Sequence, residues 1–428
     1  MRCAGVGLRV EARISLRTPP ITAGMSLGAE TWQALRRRAI FDFCKWDVQC
    51  EDHSVLARFP LLLTAECASF LGAAAEELTR EALAAETEIL ARPRLLERLS
   101  LPAPIQKALR DAATKLACGQ DLRVMRFDFH YTTDGWRISE VNADVPGGFI
   151  EASGWNALFA EQWPDMTAPE NPSEIYAQAL CEAVGPNGIV ALVHATGYSD
   201  DHQVMKHLAN HLSALGVRTC LLSPAHLHWQ ERRAEIHSSF ASGRPDALVR
   251  FFPAEWLPNL AREDSWRPYF QPGFTPISNP GSAIVIQTKR FPLLWDELRT
   301  ELSAWRRFLP ETCDLRELNG RRDDSWIVKP ALGRVGEGIG IAGVTPQEKF
   351  EEILRSARGS PEGWVAQRRF AAEAVIAGDC AVYPCIGVFT IGGKTAGFYG
   401  RAAVRALVDQ DAQDVAVLVE AKTRESVL

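Results

Sequence analysis

The chain has 428 residues, more than one hydrophobic core usually supports, so two or three domains sharing a cleft are expected. Hydrophobic residues at 46% and charged residues at 23% exclude a disordered or fibrous protein, and a net charge of −6 gives no long-range attraction for nucleic acid or an anionic membrane. Ten scattered cysteines without a CxxC pair, no apolar run long enough for a bilayer and no secretion-signal core point to a cytoplasmic location.

Residues 1–24 are Arg-rich and acid-poor and read as a disordered tail, or as an extension ahead of a start at Met25, in preference to a targeting segment. From Ala29 to about Cys118 strong helix formers dominate, as in EELTREALAAETEILARPRLLERL, so residues 25–118 are expected to form a helical lobe. At Leu122 the pattern changes to β. LRVMRFDFHYTTDGWRISEVNA reads as a hairpin turning at Asp134-Gly135 within residues 119–184. Alternation places Glu140 and Asn142 on one face, and strand pairing brings Asp128 opposite them, a convergence of oxygen donors.

GIVALVHAT, the helix DHQVMKHLANHLSALG and VRTCLLS form a β-α-β unit, followed by a helical QERRAEIHSSFAS and the strand DALVRFF. Residues 185–280 are therefore expected to hold a small parallel α/β domain, closed by the Pro- and Gly-rich PYFQPGFTPISNPGSA. His207 and His211 have the i,i+4 spacing of a zinc pair, but the glutamate of a metalloprotease motif is absent and solvent-facing histidines are the simpler reading.

Residues 281–428 begin with QTKRFPLLWDELRTELSAWRRFL, read as helical, and continue into WIVKPALGRVGEGIGIAG. Here Lys329 ends a strand, and Gly333, Gly336, Gly338 and Gly340 leave backbone amides open to an anion beside Arg334. The literal GxGxxG at 338–343 alternates like a continuing strand, so a dinucleotide fingerprint is set aside, and no GxxxxGK[ST] loop occurs. Thr345, Pro346 and Glu348 suggest a capping box. GWVAQRRFAA is a strand with Gln367, and a hairpin turning at Gly392-Gly393 carries Lys394 and returns Arg401 to the cleft.

These blocks together resemble the circularly permuted ATP-grasp ligases of the glutathionylspermidine synthase-like family, because RFDF…EVN precedes VKPALGRVGEGIG, the reverse of ordinary ATP-grasp order. The resemblance runs from about Trp46 to Tyr399 and includes KRFPLLWDEL and YPCIGVFTIGGKTAG. It implies an α+β and α/β fold: a permuted ATP-grasp with a small pre-ATP-grasp domain and an N-terminal helical lobe.

By that resemblance Asp128, Glu140 and Asn142 hold Mg²⁺, with two ions expected, against the phosphates of ATP. Lys289, Lys329, Gly333, Arg334, Gly336, Gly338 and Gln367 bind ATP, and Arg126 and Arg401 face the reacting carboxylate. The implied reaction joins a small-molecule or peptide carboxylate to an amine through an acyl phosphate, releasing ADP and phosphate. Where the synthases carry hydroxyl residues for glutathione, this chain has Ala143, Asp144, Val145, Pro146, Gly147 and Gly148, which implies a different acid. Asp200, Asp201 and His202 stand where the synthases meet a polyamine, though an N-cap is an equal reading. An oligomer is compatible with all of this. A catalytically degenerate ATP-binding protein and a dinucleotide-dependent oxidoreductase are the alternatives.

Overall fold

The computed structural model describes residues 19–112, 122–261, 266–271, 273–318, 324–334 and 336–421. Residues 1–18 of the expected tail, 113–118 of the expected helical lobe and Val335 lie outside the described residues.

The helix Ala65–Ala91 is capped by Thr64, whose Oγ1 accepts from the Cys67 amide at 3.1 Å. Its buried Leu71, Ala75, Leu78, Ala82, Ala85 and Ile89 recur at three to four residues and form one apolar stripe. That stripe packs on Phe127, Phe129, Ile138, Val141, Ile386, Val388 and Phe398, which line one face of a large antiparallel sheet. The sheet runs Gln413–Val415, Lys394–Ala403, Cys380–Ile391, Val124–Thr132, Gly135–Asn142, and Val375–Ala377 pairs with Cys380–Ile391. Because side chains alternate along a strand, the other face carries Arg126, Asp128, Glu140, Asn142, Tyr399 and Arg401. One sheet therefore separates an apolar core from a face that is a polar floor around these residues and, at its other end, packs a second apolar cluster through Val124, Phe389, Ile391 and Ala396.

The stretch expected to be a helical lobe also contains strand. Leu61–Leu63 lies between Ile21–Ala23 and the distant Val417–Glu420, so the two ends of the described chain meet in one sheet. The apolar run LLL between Pro60 and Thr64 is short and buried, which suits a strand and not a helical turn.

The α/β unit is as read, with all neighbours parallel: Ile277–Ser278, Ala247–Phe251, Ile189–His194 and Arg218–Leu222 in that order. The helix reading of QERRAEIHSSFAS is corrected. Arg233–His237 is a strand paired with Leu227–Gln230, because Ala234 and Ile236 are buried in alternation with exposed Arg233 and His237. The helical reading of residues 287–309 also gives way. Pro292 starts a 3₁₀ segment, Phe291–Glu297, and a short helix, Ser303–Phe308, follows separately.

A smaller sheet, Thr312–Asp314, Trp364–Arg368, Trp326–Pro330, stands over the polar floor, with Lys329 and Gln367 on it. After Pro330 the glycine-rich loop turns back so that Val328 and Gly340 exchange backbone hydrogen bonds of 3.0 and 2.8 Å. The continuing strand expected beyond Gly338 is limited to that bridge. Thr345 does not cap the following helix, which runs Gln347–Gly359 behind Pro346. Its hydroxyl accepts from Ile341 N at 3.0 Å and donates to Ile339 O at 3.1 Å, pinning the loop's return instead.

Candidate functional site

The acidic hairpin aligns Arg126 with Asn142 and Asp128 with Glu140 on one face. Arg126 donates from Nε and Nη2 to the two Asp128 oxygens at 2.7 and 2.9 Å, and Asn142 Nδ2 donates to Asp128 Oδ2 at 3.1 Å. Space for this comes from the neighbouring strand: a Cβ on Gly387 would lie 2.8 Å from Arg126 Cδ. Arg126 also donates to Gly147 O at 2.6 Å and lies 4.9 Å over the Tyr399 ring.

A bulge lies beside the acids. The register shifts between Asp128 and Phe129, leaving Ser139 as the extra residue, and its carbonyl accepts from Lys329 Nζ at 3.0 Å. Lys329 is further held by Gln367 Oε1 at 2.8 Å, whose Nε2 reaches Thr312 Oγ1 at 3.0 Å. Lys289 links the two halves of the cleft, since its Nζ lies 3.0 Å from Glu140 Oε2 and 2.7 Å from Gly333 O. Burial alone would raise the Glu140 pKa, but Lys289 and then Lys329 outweigh it and hold the carboxyl below its ordinary value. Burial lowers Lys329 to about 8, with Glu140 opposing and Lys289 reinforcing that shift.

In the glycine-rich loop, Gly336 and Gly338 have φ of +70° and +71°, a region glycine enters at little cost. Gly333 abuts Pro330, where a Cβ would lie 2.3 Å from Cγ. Arg334 turns to the α/β unit, meeting Glu255 at 2.8 Å and Asp144 at 3.1 Å. Asp144 is fully buried and also accepts from Arg250 at 2.6 Å and from Ala254 N at 3.0 Å, so it is committed to the protein's own cations. Arg401 donates to Asp409 O at 2.6 Å, and its Nε is buried without a partner among the described residues. Lys394 sits at the far end of the same strand, paired with Glu76 at 3.2 Å and outside the cleft.

Sequence reasoning missed a buried charge cluster behind Arg126 and Arg401. Lys45, on the segment after the helix Ala29–Phe43, contacts Glu151, Asp47 at 2.9 Å and Asp414 at 3.0 Å. Tyr399 Oη donates to Asp414 Oδ1 at 2.6 Å, joining the cluster to the ring beneath Arg126. Glu151 opens a π-helical turn, and burial, followed by Asp414 and Asp47 against the opposing pull of Lys45, raises it to about 7. FCKWD supplies only Asp47 locally; the other two partners, Glu151 and Asp414, lie more than a hundred positions away, so the cluster does not show in the sequence. Gly387 was also passed over, although an isolated glycine inside a strand is a signal of close approach. Asp200 and Asp201 lie in the first turn of the helix Ser199–Ala214, whose N-cap is Tyr198, so neither is the cap. Burial raises Asp201 to about 6, with nearby Arg334 opposing.

Among the described residues no group of three or more His, Cys, Asp or Glu is gathered as a metal cage. The hairpin supplies a different donor set, two carboxylates opposed across one strand pair and an amide beside them, all oxygen donors of the kind a hard divalent cation takes. Each acid is matched by a cation, Asp128 by Arg126 and Glu140 by Lys289. The residues present thus fit Mg²⁺ accompanied by a polyanion that would engage Lys289 in turn.

Over residues 30–420 the chain matches the family described as glutathionylspermidine synthase preATP-grasp, and it belongs to that family. A solved glutathione synthetase-like effector from Globodera pallida, in its apo form, shares the fold with a TM-score of 0.59 at 11% identity, covering 91% of this chain and 96% of that one. No curated protein matches the chain. The architecture is a circularly permuted ATP-grasp with its preATP-grasp α/β unit, and the chain falls within the ATP-grasp ligase superfamily.

Proposed function

We propose that this chain is an ATP-dependent carboxylate–amine ligase that forms an amide through an acyl phosphate, with an acid substrate other than glutathione. The observation that supports this most is Lys289, whose ammonium meets both the acidic hairpin at Glu140 and the glycine-rich loop at Gly333. Segments far apart in the chain thereby converge on one cleft of alternating charge.

Asp128, Glu140 and Asn142 would hold Mg²⁺, which when bound neutralises phosphate charge. Lys289 and Lys329 bind and orient the triphosphate, Gln367, which bonds Lys329 directly, fixes where that ammonium points, and Arg334, spent on Glu255 and Asp144, anchors the glycine-rich loop. A carboxylate oxygen of the acid substrate bonds to the γ-phosphorus as the bond to ADP breaks. The amine nitrogen then bonds to the acyl carbon, phosphate leaves with its bonding pair, and the amine proton passes to solvent or phosphate. Arg401, whose buried Nε has no partner among the described residues, would hold the carboxylate and the oxyanion that follows. Arg126 is saturated by Asp128 and Gly147, so its part is to fix Asp128.

Asp144, locked between Arg250 and Arg334, fills the place where the resemblance would put a hydroxyl for glutathione, which favours another acid. The test is a phosphate-release screen with MgATP over amino acids, short peptides and polyamines, recording product masses. A condensation product lighter than its parents by one water, lost in Glu140→Ala, supports the reading. ATP turnover that leaves every acid and amine unjoined, unchanged in Glu140→Ala, contradicts it.

A further inference from the structure

Residues 404–412 connect the strand Lys394–Ala403, which carries Arg401, to Gln413–Val415. Leu407 is buried, at 9% exposure, with Ile327 and Ile341, and Ile339 and Val344 pack on the same cluster. Ile327, Ile341 and Val344 flank the glycine-rich loop in sequence, and Ile339 lies within it. Gly336 comes so close that a Cβ would lie 2.6 Å from Val408 O and 2.9 Å from Asp409 Cα. On the other side of this connection, Asp409 O and Ala412 O accept from Arg401 Nη2 at 2.6 and 3.5 Å. Arg405 staples it internally, reaching Asp409 and Asp411 at 3.1 Å each.

We infer that residues 404–412 are a positioning strap that ties the glycine-rich loop to Arg401, so that the place of the loop and the seat of the guanidinium are set together. Arg401 has its carbonyl acceptors on a segment whose other side is Gly336 and whose anchor, Leu407, sits in an apolar cluster made by the loop's own flanks. Peptide units are planar and stiff, so a shift at Gly336 is passed to the Asp409 carbonyl and is not absorbed between them. The use of this device rests on the ligase reading: the cation that faces the carboxylate is in place only when the loop that excludes water is also in place. Leu407 and Gly336 are positioning residues in this account.

The test is amide hydrogen exchange by mass spectrometry on the ligand-free full chain, so it does not depend on nucleotide binding. In Leu407→Ser exchange is expected to accelerate about tenfold in peptides covering both 336–344 and 404–412. Leu407→Met, which conserves volume, is expected to restore the wild-type rates. Gly336→Ala is expected to accelerate 404–412 as well as its own loop. Acceleration confined to the substituted segment in both Leu407→Ser and Gly336→Ala would overturn the inference. Adding MgATP separates the two readings: slowed exchange at both segments in the wild type, but only at 333–344 in Leu407→Ser, supports the strap. If MgATP alters nothing in the wild type, the nucleotide reading fails, and the ligand-free rates alone decide the strap.

Discussion

Lys329 is a cation placed where cations are costly. Burial takes it from an ordinary 10.5 to about 8, so an increasing share of it is neutral as the pH passes that value. Its attraction for a polyphosphate should fall with it: MgATP affinity, measured by calorimetry, is expected to drop above about pH 8. Lys329→Arg, which stays charged, should bind with a flatter profile. Glu151 is shifted in the opposite direction. Its folded value, about 7, lies above the ordinary 4.5, so between those values the folded state holds a proton that the unfolded state has lost. Stability should decline as pH rises through that window and level off above it. Thermal unfolding from pH 5 to 8 is expected to show the decline in the wild type and little of it in Glu151→Gln, where Lys45, Asp47 and Asp414 still surround the site.

At the scale of elements, the large sheet depends on its two faces being used for different purposes. Leu78→Ala on the helix Ala65–Ala91 removes packing from the dry face, and urea unfolding should show a loss of about 2–5 kcal/mol. Gly387→Ala acts on the polar face by crowding Arg126, with an expected cost of about 1–3 kcal/mol and weaker MgATP binding. Gly363→Ala, whose added Cβ would meet nothing within 4 Å among the described residues, should leave both unchanged.

The acidic hairpin, the parallel α/β unit and the Gly392-Gly393 turn were legible because periodicity and turn chemistry agree there. Arg233–His237 was misread because its residue types favour helix while its burial alternates, and tertiary context decided. Thr345 has the pattern of a cap but spends its hydroxyl on Ile339 and Ile341. Asp128, Glu140 and Asn142 were readable as neighbours from strand geometry alone. Lys45 was not, because its partner Asp414 is brought to it only by the folding of the whole chain.

Across the whole molecule, the cleft draws the acids from one hairpin, Lys289 from a later turn, Lys329 and Gln367 from the small sheet, and Arg401 from the large one. Such a site exists only when distant segments have docked, so its binding energy adds to the stability of the assembled fold. Titration of MgATP into the wild type, Glu140→Ala and Lys329→Ala tests this most directly, with each variant first shown to melt cooperatively. Saturable binding in the wild type, weakened about tenfold or more in both variants, is the expected result, because each removes a charged partner of the polyphosphate or its ion. Wild-type protein that takes up no MgATP, or variants that bind it as tightly as the wild type, would contradict the account.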